Sequence, residues 1–286
     1  MTKLYTDTSA NLPLALLREY DIAVIPFSYT VNGVAEDYNE ETDFDGKAFY
    51  DAMRRGAEVK TSMVNPATAA AFFERALAQG DDVLYVGMSG GISGTAHAAA
   101  LAAEELREKY PHAKIMTIDT YAASLGEGLQ VLEAAELLRA GRSFEEVGDR
   151  ILARRPHMCQ FFTVDDLNYL KRGGRISGAT ALIGTVLSIK PILRGDETGH
   201  IVSCGKVRGL KRAYAELANY FDTRALDKSE GIGIAHADNA EGAQALLALL
   251  RDKGFTGECL NVVYEPVTGA HVGPGTVALF FYGTEK

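Results

Sequence analysis

Seven consecutive residues, Ser89-Gly90-Gly91-Ile92-Ser93-Gly94-Thr95, combine three glycines with three hydroxyls. Two chemistries fit such a run. A serine set between glycines suits nucleophilic attack on an ester, and Gly87-Met88-Ser89-Gly90-Gly91 matches G-x-S-x-G directly after a strand-like segment. A glycine-rich loop that opens a helix suits an anion instead. Glycine permits positive φ and close backbone approach, and the first N–H groups of a helix point outward with partial positive charge. The ester reading finds partners in Asp238 and then His271, the Ser…Asp…His order of α/β-hydrolases. Against it, five further loop residues separate Ser89 from the helix, and no HGGG-type oxyanion segment is present. The anion reading recruits Thr61 and Ser62 at a strand end, Ser93 and Thr95 at the helix start, and His271 in the glycine-rich stretch Gly269–Gly275, read as a turn. Hydroxyls and backbone N–H groups donate to a carboxylate, and a second imidazole nitrogen can donate or shuttle a proton. A plain N-cap accounts for Ser93 equally well.

Other chemistries are harder to find. G-x-x-x-x-G-K-[ST] is absent: Gly199 to Gly205-Lys206 is one residue too long and lacks the hydroxyl. The first strand–helix turn reads Thr6-Asp7-Thr8-Ser9, without G-x-G-x-x-G, and no H-E-x-x-H or similar ligand cluster occurs. A net charge of −9 over 286 residues argues against general nucleic-acid binding. Cys159, Cys204 and Cys259 form no C-x-x-C pair and read as buried thiols in strands. The first residues lack the apolar core of a signal peptide, and no apolar run approaches the roughly 20 residues of a membrane span. The expectation is a soluble, cytoplasmic globular protein. Lys171-Arg172-Gly173-Gly174-Arg175 reads as a helix C-terminus with cations on the negative end, which explains Lys171, Arg172 and Gly173 but neither Gly174 nor Arg175. The apolar stretch 176–189 that follows, rich in small residues, reads either as a tightly packed core helix or as the wall of an alkyl tunnel.

These residues need a scaffold. Strand-like runs near 4–5, 22–31, 59–64, 83–87 and 113–118 alternate with helical runs near 12–20, 44–55, 66–78, 94–110 and 121–140, with a hairpin signal at Asn32-Gly33. Such alternation predicts βαβ units and a parallel sheet, whose ligands bind at the carboxyl ends of the strands. Thr6–Ser9, Thr61–Ser62, Ser89–Thr95 and Asp119–Ser124 all follow strands and are expected to converge on one crevice. Ser143-Phe-Glu-Glu146 is a capping box opening a helix that ends at Pro156. Beyond it come a strand at 161–164, a helical turn at 165–171, a hairpin over 192–207 turning at 195–199, helices at 210–226 and 241–253, and strands near 231–237, 258–264 and 276–282. The predicted fold class is α/β in two domains, 1–155 with a mostly parallel Rossmann-like sheet and 156–286 with a mixed sheet, the ligand lying between them.

Taken together, the segments resemble the DegV family, bacterial fatty-acid-binding proteins that serve as the lipid-carrying subunit of fatty acid kinase. The resemblance rests on Asp7-Thr8-Ser9-Ala10-Asn11-Leu12, Lys60-Thr61-Ser62 with Pro66, Ser89 to Thr95, Ile118-Asp119-Thr120 with Ser124, Asp166 to Ser177 through Lys171-Arg172-Gly173-Gly174-Arg175-Ile176, Lys190-Pro191, and His271-Val272-Gly273-Pro274-Gly275. It implies a non-enzymatic lipid carrier without cofactor, holding a C14–C18 fatty acid between two domains. The carboxylate would lie against Thr61, Ser62, Ser93, Gly94, Thr95 and His271. The tail would run along Ile176, Ala179, Leu182, Ile183, Val186 and Leu187. A separate ATP-binding kinase would phosphorylate the carboxylate for phospholipid synthesis, with Arg172, Arg175, Lys206 and Arg208 facing partner or phosphate. Transient contact with a membrane surface would serve lipid exchange. Departures are Thr8 and Asn11, where family members carry serine and an acid, and Met63, where glutamine is usual. A regulatory module that senses a small anion without a kinase is the third reading.

Overall fold

A computed structural model describes residues 1–36, 44–176 and 188–286. β6 (Asp82–Gly87) is buried at every position but its first. A strand covered on both faces carries a continuous apolar run, here Val83-Leu84-Tyr85-Val86. It pairs in parallel with β1 (Thr2–Asp7) and β7 (Ile115–Asp119), and β1 pairs in parallel with β2 (Ala23–Ile25). The strand expected over 22–31 is two strands: β2 ends before Pro26, which has no N–H for a ladder, and β3 (Ser28–Val31) starts beyond it. β3 joins β4 (Val34–Glu36) and β5 (Val59–Ser62) in a small antiparallel sheet whose turn is Asn32-Gly33, both at positive φ.

The helices follow their sequence signals. α1 (Leu14–Glu19) and α2 (Gly46–Arg54) precede α3 (Pro66–Leu77), where Asn65 Oδ1 accepts from Thr68 N at 2.9 Å. α4 (Thr95–Lys109) buries Thr95, Ala98, Ala99, Ala102, Ala103 and Leu106, a three-four spacing of small residues packed on α3. α6 (Phe144–Arg154) begins with the expected capping box at Ser143.

The second sheet is mixed, in the order β10-β9-β8-β13-β11-β12 among the described residues. Its strands are β8 (Met158–Thr163), β9 (Ile189–Gly195), β10 (Ile201–Arg208), β11 (Ile232–His236), β12 (Cys259–Val263) and β13 (Val277–Tyr282). β8 and β13 are wholly buried. One face packs Phe161, Ile234 and Leu279 against α8 (Leu210–Arg224) and α9 (Ala240–Asp252). The other packs Phe162, Ala235 and Phe280 against α5 (Leu125–Arg139), which also touches β1 and β6 of the first sheet. α5 is therefore a shared layer between two sheets. The three thiols lie on β8, β10 and β12 and are free.

Two short helices bear directly on the site. α7 (Asn168–Gly173) ends on Gly174 in the left-handed region, φ 70°. α10 (Pro266–Val272) carries His271, so the expected glycine-rich turn is a helix up to Val272. Its signal was a proline in the first turn after an acidic N-cap, Glu265-Pro266. Of the helix expected over 176–189, residues 177–187 lie outside the described residues, and Ile189 opens β9 instead.

Candidate functional site

The loop after β6 is held from several directions. Ser89 N donates to Ala122 O at 2.8 Å, Gly90 N to Asp119 Oδ2 at 2.9 Å and Gly91 N to Ser89 Oγ at 3.0 Å. Ile92 N and Ser93 N both reach Ser89 O, and Thr95 N reaches Ser93 Oγ at 3.3 Å. Gly94 N–H alone in this run has no partner among the described residues. Gly94, not Ser93, is the N-cap of α4. The loop is thus less open to an anion than its composition suggests: most of its donors are engaged within the protein.

Ser89 cannot act as a nucleophile. It is fully buried, and its Oγ donates to Gly199 O at 3.1 Å, pinning the β9–β10 hairpin tip to the loop. Gly199 sits at φ +81° with Ser89 Oγ where a Cβ would be, so the contact requires glycine. Asp238 pairs with Arg54 on α2, and His271 bonds Thr61. The three members of the proposed triad face three different partners, which removes the geometric basis of the hydrolase reading.

A narrow apolar slot opens beside this loop. It encloses about 780 Å³ of empty space, its open mouth included. Phe27, Met88, Phe162, Leu170, Val267 and Phe280 form much of its wall. The polar wall residues include Thr61 from β5, Ser93 from the loop, His271 from α10 and Arg175 beyond α7. Thr61 Oγ1 and His271 Nε2 share a hydrogen bond of 2.9 Å. Burial, helped by the nearby Arg175 cation, pushes the His271 imidazole down to about 4. It is therefore neutral at pH 7 and has one N–H to give, while Arg175 supplies the positive charge. Arg175 Nε donates to Ile92 O at 3.2 Å and Nη1 donates to Gly173 O, so one guanidinium links the anion loop to the end of α7. Gly173 explains itself here: a Cβ on it would lie 2.3 Å from His271 Nδ1. The two glycines have roles opposite to those expected, Gly174 closing the helix and Gly173 making room for the imidazole.

Of the residues expected at the head group, Thr61, Ser93 and His271 share the slot wall. Ser62 is exposed and off the wall. Thr95 is buried with its Oγ1 bonded to Ser93 Oγ at 3.0 Å and accepting from Val64 N at 3.3 Å. Gly94 lies beside the wall with its free N–H. Ile176 bridges Ile201, which lines the slot, whereas Ala179, Leu182, Ile183, Val186 and Leu187 lie outside the described residues. Arg172 and Arg175 border a second, open pocket that shares Thr61 and His271 with the slot. Lys206 and Arg208 sit exposed toward the far end of β10 from Ile201, on neither wall. Sequence reasoning missed Gln160, Tyr264 and Thr268 on the slot wall; Gln160 lies in the otherwise apolar β8, Tyr264 in the connection between β12 and α10, and Thr268 in α10. Among the described residues no His, Cys, Asp and Glu group could hold a metal, and no helix is long and apolar enough to cross a membrane.

Three of the four loops expected to converge do so; Thr6–Ser9 does not reach the wall. It belongs to a buried acidic cluster behind it. Asp7 accepts from Tyr85 Oη at 2.6 Å, Ser9 N at 3.0 Å and Met88 N at 3.1 Å. Glu127 on α5 accepts from Thr6 Oγ1 at 3.0 Å and from Ser9 Oγ. Glu265 caps α10, accepting from Val267 N at 2.5 Å and Thr268 N at 2.6 Å, while its own N–H donates to Asn11 Oδ1 at 3.0 Å. None of the three acids pairs with a cation among the described residues. Burial pushes all three carboxyls up, Glu265 to about 7.

The sequence model of the DegV family, which describes its members as uncharacterised, matches residues 1–284. The chain belongs to the DegV family. A DegV domain-containing protein of Clostridium perfringens is 37% identical over 284 residues, 99% of this chain and 98% of the relative. A DegV protein from Thermus thermophilus, solved for its fatty acid binding, has a TM-score of 0.89 and 32% identity over 99% of each chain. DegV of Bacillus subtilis, described as a fatty acid binding protein, gives a TM-score of 0.82 and 29% identity over 98% of each chain. The α/β fold with one parallel and one mixed sheet is thus the DegV fold.

Proposed function

We propose that this chain binds one long-chain fatty acid, C14–C18, and presents its carboxylate to a separate ATP-dependent kinase that forms the acyl phosphate. The observation that carries the binding is the slot: narrow, largely apolar, with Thr61, Ser93, His271 and Arg175 on its wall. A C16 chain buries about 15 methylenes at about 0.8 kcal/mol each, a gross gain near 12 kcal/mol before the losses of association. Affinity resides in the tail, and the polar end fixes the position of the carboxylate. Arg175 balances its charge, neutral His271 and the hydroxyls of Thr61 and Ser93 direct it, and Gly94 N–H is the one loop donor left to join them. Two observations support an outside kinase. The sequence lacks the G-x-x-x-x-G-K-[ST] pattern, and a second pocket, bordered by exposed Lys60 and Arg172, shares Thr61, Arg175 and His271 with the slot and would leave the carboxylate reachable. In this reading Arg172 and Arg175 face the incoming phosphate, the domains divide at 155/156, and the slot lies between them.

The test is titration of delipidated, refolded protein with C12–C20 acids, followed by incubation of the loaded protein with a bacterial kinase fraction and ATP. Wild type should bind a C14–C18 acid one to one, with Ser93→Ala weaker by about tenfold, the value of one hydrogen bond to a charged group. Absence of binding to every acid tested overturns the reading. Binding without acyl-phosphate formation by any kinase fraction leaves a carrier or sensor and removes the kinase step.

A further inference from the structure

Met63 differs from every other described residue on the slot wall: it is 50% exposed, whereas the others are buried or half-buried. It lies in the short connection between β5 and α3, two residues after Thr61. Its thioether rests on Gly94: a Cβ on that glycine would meet Met63 Sδ at 2.5 Å and Cε at 3.0 Å. Gly94 carries the one loop N–H without a partner. An apolar side chain therefore lies beside an unpaired donor, between the polar end of the slot and solvent. Its backbone neighbours are fixed, Ser62 pairing with Ser28 in the small sheet and Val64 N donating to Thr95 Oγ1 at 3.3 Å. Motion at this point belongs to the side chain rather than to the loop. Methionine is unbranched, with three rotatable bonds, and an exposed side chain changes rotamer in picoseconds to nanoseconds.

We propose that Met63 is a side-chain shutter over the head-group end of the slot and sets the rate at which acid enters, leaves and is exposed to solvent. The proposal rests on fatty-acid binding in the slot. Swung away, the side chain uncovers Gly94 N–H and the Thr61–His271 pair. Swung back, it covers the carboxylate with an apolar group and excludes water. Because it gates both directions, it changes rates more than affinity.

Stopped-flow exchange of 11-(dansylamino)undecanoic acid, with palmitate as competitor, tests this on wild type, Met63→Ala and Met63→Phe. Met63→Ala should speed both association and dissociation by about fivefold or more, with Kd changed less than about threefold. Met63→Phe should slow both. Wild-type rates in both variants overturn the shutter while leaving fatty-acid binding intact. Failure of the wild type to bind palmitate overturns the binding reading, and the shutter with it.

Discussion

The polar end of the slot and the acidic cluster behind it use the same kinds of group to opposite ends. Both combine hydroxyls, backbone donors and a titratable side chain. In the cluster the acids are answered from inside the protein: Asp7, Glu127 and Glu265 accept from the hydroxyls of Tyr85, Thr6 and Ser9 and from the four backbone N–H groups of Ser9, Met88, Val267 and Thr268. At the slot end the complement is incomplete. A neutral imidazole, two hydroxyls and a cation lie on an apolar channel, with a free N–H beside them and no acid among the described wall residues. The cluster carries its own carboxylates and is finished; the slot end lacks one, and in the proposed function a ligand carboxylate completes it. The two are joined mechanically, since Glu265 caps the helix that carries His271.

The largest test of this contrast is pH. Glu265 sits at about 7 in the folded chain against 4.5 for an ordinary glutamate. A raised carboxyl contributes stability that is complete below the unfolded value and is lost as pH rises through the folded one. Denaturant midpoints should therefore fall between about pH 5 and pH 8, by about 3 kcal/mol from this residue. Asp7 and Glu127 are shifted the same way and add with the same sign. Glu265→Gln should flatten much of that fall; an unchanged slope would separate α10 from the acidic cluster. Next in size, Gly173→Ala drives a methyl into the His271 imidazole and should cost about 2 kcal/mol. Its fatty-acid affinity should drop as the Thr61–His271 bond is lost, read by calorimetry. The smallest effects form a pair. Ser9→Ala removes a donor to Glu127 and should destabilise by about 1 kcal/mol with affinity unchanged. Ser93→Ala should leave stability within about 0.5 kcal/mol and weaken binding. If the two variants exchange these effects, the division between finished and unfinished ends is wrong.

Much of the scaffold was legible because local signals and burial agree. The apolar run 83–86, Asn65-Pro66, the Ser143 capping box and the Asn32-Gly33 turn each specify their element without tertiary help. His271 was found as a residue and misplaced as a turn, because Gly269, Gly273 and Gly275 outweighed the Glu265-Pro266 start of a seven-residue helix. Ser62 and Thr95 were chosen as hydroxyls near the slot; which way each side chain faces depends on β5 register and on Val64, and neither shows in a motif. Arg175 was read as facing outward, yet it lines the slot as well as the open pocket, a placement set by the left-handed Gly174 just before it. The acidic cluster was invisible, since Asp7, Glu127 and Glu265 are separated by well over a hundred residues and meet only through α5 and α10.

The central claim is that the polar end of the slot holds a ligand carboxylate against Arg175, Thr61, Ser93 and His271. Carbon-13 NMR of protein loaded with carboxyl-labelled palmitate reads that group directly. One bound resonance is predicted, titrating at lower pH than the same acid in detergent micelles, because a cation and hydrogen-bond donors favour the ionised form. A bound carboxyl that titrates as it does in micelles, or no bound resonance at all, would contradict it.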